Sequence, residues 1–159
     1  MPITNLTVLI TGSTGGLGAA LAEKLYERGA NLALLDLDQA TVTAQAAALG
    51  ERAHGWVADV RSEDALRTAI NAAADHFGRL DVVIANAGIG VSSSLANGTV
   101  EEFERIIDIN LSGVWRTFHA ALPHVVRSRG YLLAISSMAA FIHAPLMGAY
   151  NASKAGVLA

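Results

Sequence analysis

The sequence predicts an α/β protein built on a doubly wound parallel sheet. Two observations carry this: five apolar runs of strand length, and a helical pattern between each successive pair. Parallel neighbours need long connections, and near-continuous apolar runs indicate strands covered on both faces. A third observation, a glycine cluster at the first strand-to-helix junction, points to where such a sheet would work.

"LTVLIT" reads as the first strand, followed by the glycine cluster and a helix with Leu17, Leu21 and Leu25 on one face. "NLALLD" is the second strand, an alanine-rich helix covers 39–49, and "HGWVADV" is the third strand. Ser62 is placed to cap the next helix, whose Leu66, Ile70 and Ala73 form an apolar stripe ending at Phe77 and Gly78. "LDVVIANAG" is the fourth strand, running into a loop that ends near Asn97 and Gly98. Thr99 and Glu102 have capping-box spacing and open a long helical region, jointed near Asn110 and kinked at Pro123. "GYLLAIS" is the fifth strand, and after a loop with Pro145 a helix starts near Ala149.

The 159 residues are one domain's worth of chain, about half apolar, which favours one compact core over disorder. A net charge of −3 leaves no basic footprint for nucleic acid. With no cysteine, disulfides and thiolate metal sites are excluded, which suits a cytoplasmic setting. The start, "MPITNLTVLITG", lacks the basic flank and cleavage site of a secretory signal. Residues 130–153 carry no formal charge, but serines, His143, Pro145 and Asn151 interrupt them. They read as buried strand and loop, not as a membrane span. His119 and His124, five apart, read as helix-surface residues, and no histidine and carboxylate set has zinc spacing, so no metal is expected.

"TGSTGGLG", residues 11–18, sits where an open α/β sheet binds a nucleotide. Gly12 permits a tight exit from the strand, and Gly16 and Gly18 allow close approach of a ligand and of the helix to the sheet. The spacing is not that of a P-loop, and Thr14 breaks the G-x-G-x-x-G pattern. Asp36 ends the second strand eighteen residues after Gly18, where a carboxylate can accept both ribose hydroxyls of an adenosine and repel a 2′-phosphate. That favours NAD over NADP. Ser13 and Leu37 agree, since neither supplies a cation for the phosphate.

These residues resemble the short-chain dehydrogenase/reductase family along the whole chain. "TGSTGGLG" resembles its TGxxxGxG cofactor turn, which assigns Gly12, Ser13, Gly16, Leu17 and Gly18 to cofactor binding. Asp59 and Val60 resemble the pair that contacts adenine. "NAG" at Asn86, Ala87 and Gly88 resembles the NNAG motif with Ala85 in place of its first asparagine. Asn110, Ser137, Tyr150 and Lys154 resemble the catalytic tetrad; Ser137 is preferred to Ser136 because it lies thirteen residues before Tyr150. The resemblance implies a Rossmann-type fold, a nicotinamide cofactor and a small-molecule alcohol or carbonyl substrate. It also implies a homodimer or homotetramer formed through the helix after Asn110 and the one near Tyr150. By the same resemblance, Ser137 holds the substrate oxygen, Lys154 also binds the nicotinamide ribose, and Asn110 supports a water-mediated proton relay.

Tyr150 and Lys154 are i and i+4 and therefore share a helical face. Alcohol oxidation by hydride transfer needs a base, and a free tyrosine with pKa about 10 is too weak. Lowering that value by three units requires about 4 kcal/mol. A unit charge about 5 Å away supplies about 3 kcal/mol at an effective dielectric constant of about 20, so Lys154 and a positive nicotinamide together suffice. Alone, a Tyr-x-x-x-Lys pair is ordinary helix surface; it acquires meaning beside the glycine turn. His143, with Phe141, Ile142 and Met147, is placed either to line a substrate pocket or as an ordinary loop residue.

The family's fold continues through two further strands and a substrate-covering loop and helix. The expectation is therefore that residues 1–159 are the amino-terminal part of a longer single NAD(P)-binding domain, with its fifth strand left as an edge. Two functions remain open: an NAD-dependent oxidoreductase, and a non-catalytic nucleotide-binding or interaction module that lacks the substrate lid.

Overall fold

The computed structural model describes residues 3–143 and 145–159. Five parallel strands, β1 (Thr7–Thr11), β2 (Asn31–Asp36), β3 (Ala53–Val57), β4 (Val82–Ala85) and β5 (Tyr131–Ala134), stand in the order β3-β2-β1-β4-β5. The order reverses between β1 and β4, and open α/β sheets bind ligands at the carboxyl ends beside such a reversal.

The helices are α1 (Gly16–Glu27), α2 (Gln39–Leu49), α3 (Glu63–Phe77), α4 (Val100–Ile107), α5 (Gly113–Ser128) and α6 (Gly148–Leu158). Alternation along the strands gives each sheet face its own core. Leu9 and Leu35 pack with Leu66, Ile70 and Ala73 of α3 and Ala121 and Val125 of α5. Val8, Ile10, Leu32 and Leu34 pack on the other face with Ala22 of α1 and Val42 and Ala46 of α2.

The expected caps form. The Ser62 hydroxyl accepts from the Ala65 N–H at 3.2 Å, and Gly78 ends α3 in the left-handed region at φ +73°. Thr99 and Glu102 bond reciprocally at 3.1 and 3.3 Å. Three places refine the sequence reading. Leu17 is exposed at the groove described below, so the core contacts of α1 come from Leu21, Ala22 and Leu25. The joint near Asn110 is a π-helical turn over Asp108–Ser112. Pro123 lies inside α5, which continues through it to Ser128.

Asp81 gathers the starts of three strands. Its carboxylate accepts from the Thr7 N–H at 2.9 Å, its N–H donates to the Thr7 carbonyl at 2.9 Å, and its carbonyl accepts from the Tyr131 N–H at 2.8 Å. Arg79 holds the carboxylate from outside. Asp81→Ala leaves the fully buried Thr7 N–H without its acceptor, for an expected loss of about 1–3 kcal/mol in urea unfolding. Asp81→Asn, which keeps an acceptor, loses less.

Candidate active-site groove

The carboxyl ends of the strands open on a groove of about 700 Å³. Its centre is the glycine turn. Gly12 sits at φ +64°, and a Cβ there would lie 2.8 Å from the Ala87 Cα, so this position needs glycine for both reasons. A Cβ on Gly18 would lie 2.2 Å from the Gly12 carbonyl oxygen. The Asn86 amide donates to the carbonyls of Thr11 at 3.0 Å and Gly12 at 2.9 Å, and the Thr11 hydroxyl accepts from the N–H groups of Asn86 and Ala87. The segment after β4 is thereby buckled to the turn after β1.

Helix α1 starts at Gly16 with Gly15 as its N-cap, and among the described residues no side chain caps it. A Cβ on Gly16 would meet no described atom within 4 Å. The first-turn amides thus border open groove, which suits an anion such as a pyrophosphate. Ser13 is placed differently. Fully buried, its hydroxyl donates to Gln45 of α2 at 2.9 Å, its carbonyl accepts from Gln45 at 2.6 Å, and its N–H donates to the Leu35 carbonyl. It fastens the turn to α2 and does not line the groove.

One end of the groove is acidic. Asp36 Oδ2 accepts from the Thr14 N–H at 2.9 Å and the Thr14 hydroxyl at 2.7 Å, and Oδ1 accepts from the Leu37 N–H at 2.8 Å. Asp59 and Val60 line the wall beyond, where Arg61 clamps the Asp59 carboxylate at 2.6 Å. Hydrogen bonding from Arg61 holds the Asp59 carboxyl below the usual carboxylate range, against the smaller opposing effect of burial.

The other end is built by α6. Tyr150 and Lys154 both line the groove, and Lys154 Nζ stands 5.8 Å from the Tyr150 ring centroid and donates to the Ile135 carbonyl at 2.8 Å. Asn110, fully buried in the π-turn, accepts from the Ile89 N–H at 2.8 Å and donates to the Ile89 carbonyl at 2.8 Å and the Ser153 hydroxyl at 3.1 Å. Ser153 in turn donates to the Tyr150 carbonyl at 2.8 Å. A Cβ on Gly88 would lie 3.2 Å from the Asn110 amide oxygen and 3.6 Å from Lys154 Nζ, so glycine lets these groups close on the loop.

The two serines after β5 divide. Ser136 borders the groove and donates to the Lys154 carbonyl at 2.9 Å. The Ser137 hydroxyl accepts from the Ala139 N–H at 3.1 Å, opening a short 3-10 turn over Met138–Ala140, and retains its own proton for another acceptor. Met147 lines the groove, whereas Phe141, Ile142 and His143 are exposed outside it. His119 stacks on Trp115, and His124 pairs with Asn71 at 2.7 Å, both on helix surfaces. Sequence reasoning missed Thr14, Gln45, Arg61 and Ser153. Only Ser153 left a signal, being three residues after Tyr150 on the same helical face.

Burial lowers the pKa of Lys154 below the ordinary lysine value. Between the folded and unfolded values the unfolded chain binds more protons, so this lysine opposes folding at neutral pH and the opposition fades as pH rises toward about 10.4. Relative to Lys154→Met, the wild-type chain should therefore gain stability as pH rises from neutral toward about 10.4, read from urea midpoints of both proteins.

The model of the short chain dehydrogenase family matches residues 6–159. The human protein 3-hydroxyacyl-CoA dehydrogenase type-2 is 37% identical over 169 residues, covering 98% of this chain and 65% of the relative. The putative oxidoreductase SadH of Mycobacterium tuberculosis is 38% identical over 153 residues, covering 94% of this chain and 55% of its own length. Among solved structures, a short chain dehydrogenase/reductase from Burkholderia phymatum in complex with NAD superposes with a TM-score of 0.94 at 26% identity, over 99% of this chain and 58% of that one. The chain thus spans less than two thirds of these relatives. The chain belongs to the short-chain dehydrogenase/reductase family, whose fold, an α/β Rossmann-type parallel sheet, it shares.

Proposed function

We propose that the protein is an NAD-dependent oxidoreductase that interconverts a secondary alcohol and a carbonyl. The observation that carries this is a single groove with an uncapped glycine turn at its centre, a carboxylate at one end and the Tyr150–Lys154 pair at the other. The bound NAD complex of the Burkholderia phymatum structure supports the choice of a nicotinamide cofactor. Nicotinamide supplies hydride acceptance or donation; the protein supplies position and proton transfer.

The residues fit such a ligand. The open space over Gly16 and the first-turn amides of α1 suit the pyrophosphate, Asp36 the adenosine ribose, and Asp59 with Val60 the adenine edge. Gly88 brings the loop against Lys154, and Lys154 would hold the second ribose. Tyr150 takes the alcohol proton in oxidation and returns it to the carbonyl oxygen in reduction, while Ser137 donates its proton to that oxygen. The Lys154 ammonium stands beside the Tyr150 ring, and Asn110 holds α6 in register through Ser153. Pairing of two copies through α5 and α6 belongs to the same reading, supported by the exposed Trp115, Leu122 and Val126.

Tyr150→Phe should lower kcat by about 100-fold or more on a panel of secondary alcohols and ketones while NADH affinity stays unchanged. Turnover at wild-type rate in that variant would remove Tyr150 from the mechanism. Asp36→Ala should weaken NADH binding by about 10- to 100-fold, from loss of a charged acceptor, and NADPH binding far less. Equal losses for both dinucleotides in a fluorescence titration would overturn the NAD preference.

A further inference from the structure

We propose that His54 and His76 form an acid-sensitive latch between the edge strand β3 and the end of α3, a pair that accommodates one proton and is pushed apart by a second. β3 stands at the edge of the sheet with β2 as its neighbour, so its seating on α3 rests on side chains. His54 and Trp56, two residues apart, share the face that meets α3. The His54 ring stands 4.4 Å from that of Trp56 and 4.6 Å from that of His76. His76 in turn meets Trp56 at 5.7 Å and Phe77 at 4.6 Å, both edge-on, and Trp56 packs against the core beneath. Four rings thus join strand to helix, and two of them titrate.

Both imidazoles are exposed, so either can take a proton without unfolding. The surroundings do little to offset two charges. Among the described residues no carboxylate pairs with either ring. α2, which packs on β3, carries no charged side chain, and Asp38 at its cap is held by Thr41. Asp36 at the end of β2 is engaged by Thr14 and Leu37, and Arg52 by the carbonyls of Tyr26 and Ala30. Glu51 is exposed in the turn before β3. On α3, Asp64 lies in the first turn, Glu63 pairs with Arg67, and Asp75 acts on His124 of α5. Arg79, just beyond α3, is held by Asp81.

The first proton has a seat on His76, in the last turn of α3, where the carbonyl end of a helix suits a cation. Burial first, and then charge on His76, hold the His54 pKa below the ordinary histidine value. With that value depressed, the unfolded chain binds more protons below about pH 6.5, so the latch loses stability as pH falls through that point. β3 runs directly into residues 58–61, which wall the groove, so this wall is what a loosened latch releases.

The test is an NMR titration of the histidine ring signals in wild type, His76→Gln and His54→Phe, the last of which keeps a ring in the stack but cannot take a proton. In the wild type His54 should titrate below about pH 6.5, and its midpoint should rise in His76→Gln. Between about pH 7 and 5 the wild-type urea midpoint should fall further than that of His54→Phe. Over the same range, amides of β3 and of residues 58–61 should lose about 3-fold more exchange protection in the wild type than in His54→Phe, after correction for the intrinsic effect of pH. An unchanged His54 midpoint in His76→Gln, or equal acid losses in wild type and His54→Phe, would overturn the inference.

Discussion

The groove depends on one buried carboxamide. Asn110 has no solvent exposure, so its donors and acceptor must find partners inside the protein. It finds them on the Ile89 backbone and the Ser153 hydroxyl, which belong to the loop after β4 and to α6. No regular α-helix joins α4 to α5 there; the chain widens into a π-turn over Asp108–Ser112 that contains Asn110. Such a turn sacrifices regular helical bonding, and its persistence is understandable because the amide secures two other elements in exchange. Through Ser153 the bond continues to the Tyr150 carbonyl, so the first turn of α6 is located by a residue some forty positions earlier.

The segment from Asn86 to Gly90 is the rail on which both halves of the groove are mounted. At one end Asn86 and Ala87 exchange four hydrogen bonds with Thr11 and Gly12, across about 75 residues of sequence. At the other, Ile89 holds Asn110. A typical internal hydrogen bond contributes about 1 kcal/mol net, yet leaving a buried partner unpaired costs about 1–3 kcal/mol. The rail therefore works less by adding stability than by penalising any displacement of the glycine turn relative to α6.

The strands, helix caps and glycine turn were legible in the sequence because each rests on local chemistry: alternating burial, a hydroxyl before a helix, a position that cannot carry a Cβ. Position along the chain also brought Asp36, Asn110, Tyr150 and Lys154 to one edge of the sheet. The lateral partners were not legible. Ser13 looked like part of a ligand turn and is instead bonded to Gln45, a residue of α2 with no motif around it. Asp36 looked like a free acceptor and is already engaged by Thr14 and Leu37. These bonds depend on which side chains meet once β1 and β2 lie side by side, and no periodicity in one segment encodes the contents of its neighbour.

Lys154 shows how the fold resolves a conflict between stability and chemistry. It is 4% exposed, and among the described residues no carboxylate lies within salt-bridge reach. A paired aspartate would make the buried ammonium easier to accommodate, but it would also cancel the ammonium's field in the groove. The protein uses a neutral partner instead, the Ile135 carbonyl, which satisfies one donor and leaves the net charge intact. Lys154 Nζ stands 5.8 Å from the centroid of the Tyr150 ring. The lysine's charge thus borders the groove beside that ring with no opposite charge to offset it, because its burial is met by a neutral acceptor.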